Sequence, residues 1–289
     1  MPQVSIIILN YNTFQLTTNC IESIIKHTIE VGYEIILVDN ASTECDANIF
    51  IEKFPNIQLI KNTSNSGFAK GNNLGIEAAS GEFILLLNSD TYISEDAISK
   101  TYQYAKTRNK LGVYGCRMIY PDGKLQHTAR KFRSIAWEIL DTFRFIPFMF
   151  SYKKRSQLML GKYFNADYST VCDWLNGAFF MFPKTILDKL PNQKLDERFF
   201  MYGEDHLWCW QFKKLGYHAY FYSNTKIVHI NNGSTSKEKK LELRQLMLKH
   251  ELMIIKERKG DGLYYFLFKI LYSTKEMSRI LILNLLRKF

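Results

Sequence analysis

The feature that most constrains this chain is the stretch at residues 83–91, FILLLNSDT, where consecutive apolar residues stop at an amide, a hydroxyl and a carboxylate. A short apolar run between turn formers reads as a strand buried on both faces, the kind found inside mostly parallel sheets. Asn88, Ser89 and Asp90 then stand at its carboxyl end, the edge where open α/β sheets bind ligands. An Asp fixed there can fill one coordination position of Mg²⁺ or Mn²⁺, with phosphate oxygens and water completing the shell. The competing reading is local: Ser and Asp are favoured N-cap residues, and a helix begins near Ser94.

The first ninety residues repeat this design. Residues 4–9, 33–38 and 57–60 are further strand-like runs. Leu16, Cys20, Ile21, Ile24 and Ile25 mark one face of a helix capped by Asn12 or Thr13. A second helix runs through Ile49, Phe50 and Phe54 and stops before Pro55, and residues 68–79 form a third, closed by Gly81. Such β-α-β-α alternation predicts a parallel sheet with right-handed crossovers and helices on both faces. Each strand runs into a polar cluster: Asn10, Tyr11 and Asn12; Asp39, Asn40, Ala41 and Ser42; Asn65, Ser66 and Gly67; Asn88 to Asp90. One such cluster is ordinary turn composition, whereas four on one edge point to a binding site. A dinucleotide-binding dehydrogenase does not fit, because the first strand leads into NYNTFQ rather than GxGxxG.

Composition narrows the class further. With 289 residues, 46% of them hydrophobic, the chain can bury a proper core. Its five cysteines lack CxxC spacing, which argues against a disulfide framework or zinc site and for a reducing, cytoplasmic setting. The N-terminus shows neither the basic n-region nor the cleavage site of a signal peptide, and its apolar run is too short to cross a bilayer.

From Gly112 the pattern changes. Residues 113–120 are strand-like, Pro121, Asp122 and Gly123 turn, and residues 124–127 return as a short hairpin arm. Residues 134–155 are apolar, aromatic and then basic, with Pro147 interrupting any helix. They suit either a packed excursion or a flap near a lipid-borne acceptor. Trp174, Asn176 and Gly177 precede a strand at 178–182, and Glu204 and Asp205 open a helix that Gly216 ends. Acids in a first helical turn often only offset the helix dipole. His229 lies in the strand-like IVHI.

Taken together, VSIIILNYN, VDNAS at 38–42, NSGFAKGNNLGI at 65–76, NSD at 88–90 and GEDHLWCW at 203–210 resemble glycosyltransferase family 2, with the GT-A fold. The GFxxGNNxGI form is most similar to the rhamnosyltransferase-like branch. The resemblance implies an α/β GT-A catalytic domain over residues 1–235: a mostly parallel, Rossmann-like sheet in a nucleotide-sugar-binding half (1–111) and a mixed acceptor-binding half (112–235). It implies a metal-dependent, inverting enzyme that moves a single sugar, with rhamnose a candidate, from a UDP or dTDP donor to a polysaccharide or lipid-linked acceptor. By matching position, Asp39 would face the base, Asn10 and Asn12 the nucleoside, and Lys70 and Asn73 the ribose or phosphates, with Asn65, Gly67 and Ser89 also on the nucleotide sugar. Asp90 and His229 would approach Mg²⁺ or Mn²⁺, Trp174, Asn176, Gly177 and Glu204 the acceptor or sugar, and Asp205 would be the general base. Asn88 replaces a second carboxylate, and QxxRW, the mark of processive polymerases, is absent. The alternative is a nucleotide-sugar-binding protein that has lost activity.

The last segment, residues 236–289, resembles nothing specific. It reads as two basic amphipathic helices, 237–259 and 263–289, split by Gly260 and Gly262. Of the formal charge of +10, +7 falls at residues 237–289, where 13 Lys and Arg meet 6 Asp and Glu. Lys269, Lys275, Arg279, Arg287 and Lys288 beside Tyr264, Phe266, Leu271, Ile280 and Leu283 suit a helix on the anionic inner face of the cell membrane. Packing on the catalytic domain or in a homodimer is the other reading, and no motif supports nucleic-acid binding.

Overall fold

The computed structural model describes residues 1–108, 112–231 and 237–285. The boundaries expected at 111 and 235, and the basic residues Arg287 and Lys288, lie outside them. In chain order the first elements are β1 (Val4–Asn10), α1 (Phe14–His27), β2 (Tyr33–Asp39), α2 (Asn48–Lys53), β3 (Gln58–Lys61), α3 (Phe68–Ala78), β4 (Phe83–Asn88), β5 (Thr91–Tyr92), α4 (Ala97–Lys106), β6 (Gly112–Ile119) and β7 (Leu125–Gln126). Three short helices follow: α5 (Ile135–Thr142), α6 (Phe145–Phe148) and α7 (Tyr152–Met159). Then come β8 (Thr170–Cys172), β9 (Phe179–Pro183), α8 (Glu204–Lys214), β10 (His218–His229), α9 (Lys237–Lys259) and α10 (Leu263–Leu285).

One sheet runs β3-β2-β1-β4-β9-β6-β10-β5, with β7 beside β6 and β8 beside β10. The four strands β3, β2, β1 and β4 are parallel, as the alternation predicts, and β9 enters antiparallel between β4 and β6. The central strands are buried along nearly their whole length, which is why they read as unbroken apolar runs. Helix α3 lies close on β1 because Gly71 and Gly75 face it. A Cβ on Gly75 would sit 2.5 Å from Ile7 Cγ2, and one on Gly71 2.5 Å from Leu9 Cδ1.

Two local expectations change. Helix α4 is capped by Asp96, whose carboxylate accepts from Ser99 N at 3.1 Å. Ser89 and Asp90 are therefore not its caps, and the local reading of the NSD stretch falls away. Thr13 stands at the N-cap position of α1 but its hydroxyl turns to Asn10 Oδ1, and the Glu44 carboxylate accepts from Phe14 N instead.

The chain divides into two compact units, Met1–Arg130 with Asn165–Asn232 and Lys131–Phe164 with Gly233–Phe289. The first holds the sheet. In the second, Ile255, Phe268 and Tyr272 form a small core with Ile135, Leu248 and Leu252 against it. Beside it lies a buried charge network. Glu138 and Asp141 on α5 are 0% and 2% exposed, and the nearly buried Lys275 of α10 meets both, Asp141 at 2.8 Å. Arg279 and Lys162 also reach Asp141, at 3.0 and 2.5 Å, and Arg133 reaches Glu138 at 2.6 Å. Lys275 and Arg279, expected on a membrane-facing surface, are instead spent inside this unit. The reason is that α5 offers two carboxylates that burial would otherwise leave without compensation.

Candidate active site

The carboxyl ends of β1 and β2 stand in register, Asn10 opposite Asp39. Asn10, 1% exposed, donates through Nδ2 to Asp39 Oδ1 (2.7 Å) and Ser42 Oγ (2.9 Å). Its Oδ1 accepts from Thr13 Oγ1 (3.0 Å) and Thr17 Oγ1 (2.8 Å). Two donors and two lone pairs are all that an Asn amide has. Asn10 thus orients Asp39 and has nothing left for a nucleoside, a departure from the role its position implies. Asp39 takes a second bond from Ser42 N at 3.2 Å. Asn12, in a left-handed turn (φ 52°), accepts from Thr43 N at 2.8 Å and ties the two loops together.

Asn40 fastens the next loop. Its Nδ2 donates to Asn65 Oδ1 (2.8 Å), and its Oδ1 accepts from Asn62 Nδ2 (2.9 Å) and Ser66 N (3.1 Å). Gly67 begins α3 at φ 83°, where a Cβ would lie 2.5 Å from the Phe200 carbonyl oxygen. Both backbone angle and space demand glycine. Lys70 is exposed in the first turn of α3. Asn73 is not: its Nδ2 donates to Leu195 O and Glu197 Oε1, both at 2.8 Å, and its Oδ1 accepts from Leu195 N at 3.2 Å. It pins the 195–197 loop to α3 rather than reaching ribose or phosphate.

Beyond β4, Ser89 Oγ pairs with Thr13 Oγ1 at 3.1 Å, and Asp90 meets His229. The meeting follows from topology, since β10 pairs with β5 and sets His229 opposite Thr91. Asp90 Oδ1 lies 3.1 Å from His229 Nε2. The other ring nitrogen is fixed by Gln126, which belongs to none of the motifs above. Gln126 Nε2 donates to His229 O at 2.5 Å, so the atom facing His229 Nδ1 at 2.8 Å is its acceptor oxygen. Nδ1 therefore carries hydrogen. In the neutral ring, the Nε2 lone pair then accepts from Asn88 Nδ2 at 3.4 Å and also faces the Asp90 carboxylate oxygen, a contact that a cation or a proton between the two would relieve. Asn88 Oδ1 is buried nearby without a hydrogen-bond partner. This donor set, carboxylate and imidazole with a spare amide oxygen, fits a divalent cation that shares the pyrophosphate. No group of three or more His, Cys, Asp or Glu among the described residues could hold a metal unaided.

The second carboxylate cluster joins the same edge through β9. Because β9 is antiparallel to β4, its start lies beside the end of β4, with Asn88 N donating to Ala178 O at 3.1 Å. Asn176 Oδ1 accepts from Ala178 N (2.9 Å) and shapes the turn, and Gly177 N donates to Asp205 Oδ2 at 3.0 Å. Asp205 Oδ1 accepts from His206 N at 2.8 Å. Burial raises the Asp205 carboxyl above its ordinary value, and these two backbone donors oppose the rise. Glu204 is 7% exposed with Oε2 buried and unpartnered. Burial first, then the Asp205 charge, pushes its carboxyl up to about 8. Of the two carboxyls only Asp205 receives hydrogen bonds that favour its ionised form, so hydrogen bonding places negative charge on Asp205 in preference to Glu204. Trp174 stacks on His206 (5.1 Å between centroids, 9° between planes), with the Arg130 guanidinium 5.2 Å from the Trp174 ring. Arg130, also not foreseen, helps hold the Asp205 charge.

A parallel sheet continued by an antiparallel strand and a second acidic cluster is the GT-A arrangement. Residues 5–171 match the family described as Glycosyl transferase family 2, more than half of the chain, and the chain belongs to that family. The fold is shared by two solved structures. One is the mannosyltransferase PcManGT of Pyrobaculum calidifontis, in complex with GDP-Man and Mn²⁺ (TM-score 0.60, 15% identity, 95% of this chain and 69% of that one). The other is S. aureus TarS 1–349 (TM-score 0.53, 19% identity, 87% and 65%). Among relatives in sequence, the poly(ribitol-phosphate) beta-glucosyltransferase of Bacillus spizizenii is 36% identical over 109 residues, 36% of this chain and 17% of that protein. Glycosyltransferase GlyG of Streptococcus pneumoniae is 32% identical over 117 residues, 39% and 38%. The chain thus spans well under half the length of either relative.

Proposed function

We propose that this chain transfers one sugar, with inversion, from a nucleoside diphosphate sugar to a hydroxyl of a polysaccharide or lipid-linked acceptor. The observation that carries the reading is the Asp205 carboxylate, held by Gly177 N and His206 N beside Glu204, whose carboxyl burial pushes up, on the sheet edge that also bears Asp39 and Asp90. Asp39 accepts the N3–H of uracil or thymine, which favours UDP or dTDP donors, and rhamnose remains a candidate sugar. Lys70 meets phosphate, and Asn10, Asn65, Gly67 and Ser89 shape the loops around the nucleotide. Asp90 and His229, with Asn88 beside them, would hold Mg²⁺ or Mn²⁺; when bound, the cation offsets the charge that accumulates on the departing diphosphate.

Asp205 accepts the acceptor hydroxyl proton as that oxygen bonds to the anomeric carbon. The anomeric carbon–oxygen bond to the diphosphate breaks on the opposite face, and the electron pair leaves with the nucleoside diphosphate. Neutral Glu204 donates a hydrogen bond to a sugar oxygen without adding a second charge next to the base. Trp174, stacked on His206 with Arg130 against its ring, borders the place of the sugar or acceptor. The work is done at the cytoplasmic face of the membrane.

The test is a screen of UDP-, dTDP- and GDP-sugars in Mn²⁺ by thermal shift, followed by donor hydrolysis and transfer assays on those that bind. A donor that binds only the folded state raises Tm. Binding with neither hydrolysis nor transfer would favour the inactive-binder alternative.

A further inference from the structure

The second unit exposes an apolar tip that its own core leaves uncovered. Phe143, Phe145, Phe148 and Met149, around the short helix α6, are 51%, 66%, 61% and 79% exposed. This is an ordered surface rather than a loose strand. Pro147 is buried beneath it, the Phe148 ring lies 6.0 Å from Tyr163, and the Arg155 guanidinium lies 4.4 Å from Phe148. Monomeric proteins seldom present apolar groups clustered this way unless something covers them. The chemistry around the tip says what. Residues 143–159 carry Arg144, Lys153, Lys154 and Arg155 and no Asp or Glu. Arg144, Lys153 and Lys154 are exposed.

We propose that this surface seats the second unit on an anionic lipid bilayer, with Phe143, Phe145 and Met149 in the interfacial zone and Arg144, Lys153 and Lys154 against the phosphate headgroups. A second copy of the chain is the poorer occupant. In a two-fold contact the patch meets itself, setting four cations against four with no carboxylate in the stretch to neutralise them. The contact is interfacial, since no helix among the described residues is long and apolar enough to cross a membrane. The proposal moves lipid contact away from Lys275 and Arg279, which face Glu138 and Asp141, and it stands whether or not the chain transfers sugar.

Co-sedimentation of the full chain with vesicles of phosphatidylcholine, alone or mixed with phosphatidylglycerol, tests it. Binding is expected only to the mixed vesicles and is expected to fade with salt, as the screening length drops from about 10 Å at 0.1 M to about 3 Å at 1 M. Phe145→Ser with Met149→Ser should cut partitioning by about tenfold or more while Tm stays at the wild-type value. Lys153→Glu with Lys154→Glu should cost at least about fivefold per cation. Equal binding to both vesicle types, or wild-type binding by the charge variant, overturns the proposal. So does a wild-type dimer in lipid-free buffer that the serine variant converts to monomer. Should the serine variant misfold, the charge variant decides alone.

Discussion

At residue scale, chemistry turns on which carboxyl keeps its proton. Glu204 and Asp205 are adjacent, yet only Asp205 receives backbone donors, and Glu204 Oε2 receives none. The consequence for stability has a definite sign. The folded Glu204 carboxyl sits above its unfolded value, so folding holds a proton that the unfolded chain releases sooner. Its stabilising share is complete below the unfolded value of 4.5 and is lost as pH rises towards about 8. Glu204→Gln should therefore lose less Tm than wild type between about pH 5 and pH 8; parallel Tm curves would show that Glu204 is ionised in the fold. Gln126 offers a second test. Gln126→Leu removes the acceptor that fixes His229 Nδ1–H and should weaken Mn²⁺ binding about 10- to 100-fold by electron spin resonance, the usual cost of losing an outer-shell partner of a metal-ligating His. Unchanged Mn²⁺ affinity would mean that the ring needs no such support.

At the scale of elements, the close seat of α3 on β1 depends on Gly71 and Gly75. Gly75→Ala puts a methyl 2.5 Å from Ile7 Cγ2 and 3.2 Å from Val38 Cγ2, both in buried, β-branched side chains. Overpacking of this kind costs about 1–3 kcal/mol, and the helix propensity gained, about 1 kcal/mol, offsets only part. A lower Tm is expected; a higher one would show that α3 can lift off the sheet. The strands themselves were legible because each is a buried apolar run, and β1, β2 and β4 each extend one residue past the expected end, into Asn10, Asp39 and Asn88. The polar strand ends were legible as a cluster, but not the division of labour within it. Whether an amide points into the protein, as with Asn10 and Asn73, depends on partners far away in sequence: Leu195 is 122 residues from Asn73. Gln126 was illegible for a related reason. It sits on the two-residue strand β7, too short to show a period, and its partner His229 lies 103 residues on.

At the scale of the whole molecule, the excursion at 134–155 and the C-terminal helices, separate in sequence, share one compact unit. Pairing between Lys275 and the α5 carboxylates could not be foreseen from a charge count, which treats every Lys as a surface group. Burial pushes the Asp141 carboxyl up, but the Lys162 and Lys275 ammonium groups outweigh it and hold the carboxyl well below the usual range. Lys275→Met should accordingly destabilise this unit by about 1.5–3 kcal/mol, because it removes a charged hydrogen bond from both buried carboxylates while Lys162, Arg279 and Arg133 stay in place, as read by denaturant unfolding; a loss within experimental error would mean that water reaches Glu138 and Asp141. The first unit carries the central claim, that one edge of the sheet brings a donor corner and a general base together. The most direct measurement is kcat for Asp205→Asn beside its donor Kd. The account predicts a fall of about 10²- to 10⁴-fold in kcat with donor affinity essentially unchanged. Wild-type turnover, or a loss of donor binding that accounts for the whole defect, would contradict it.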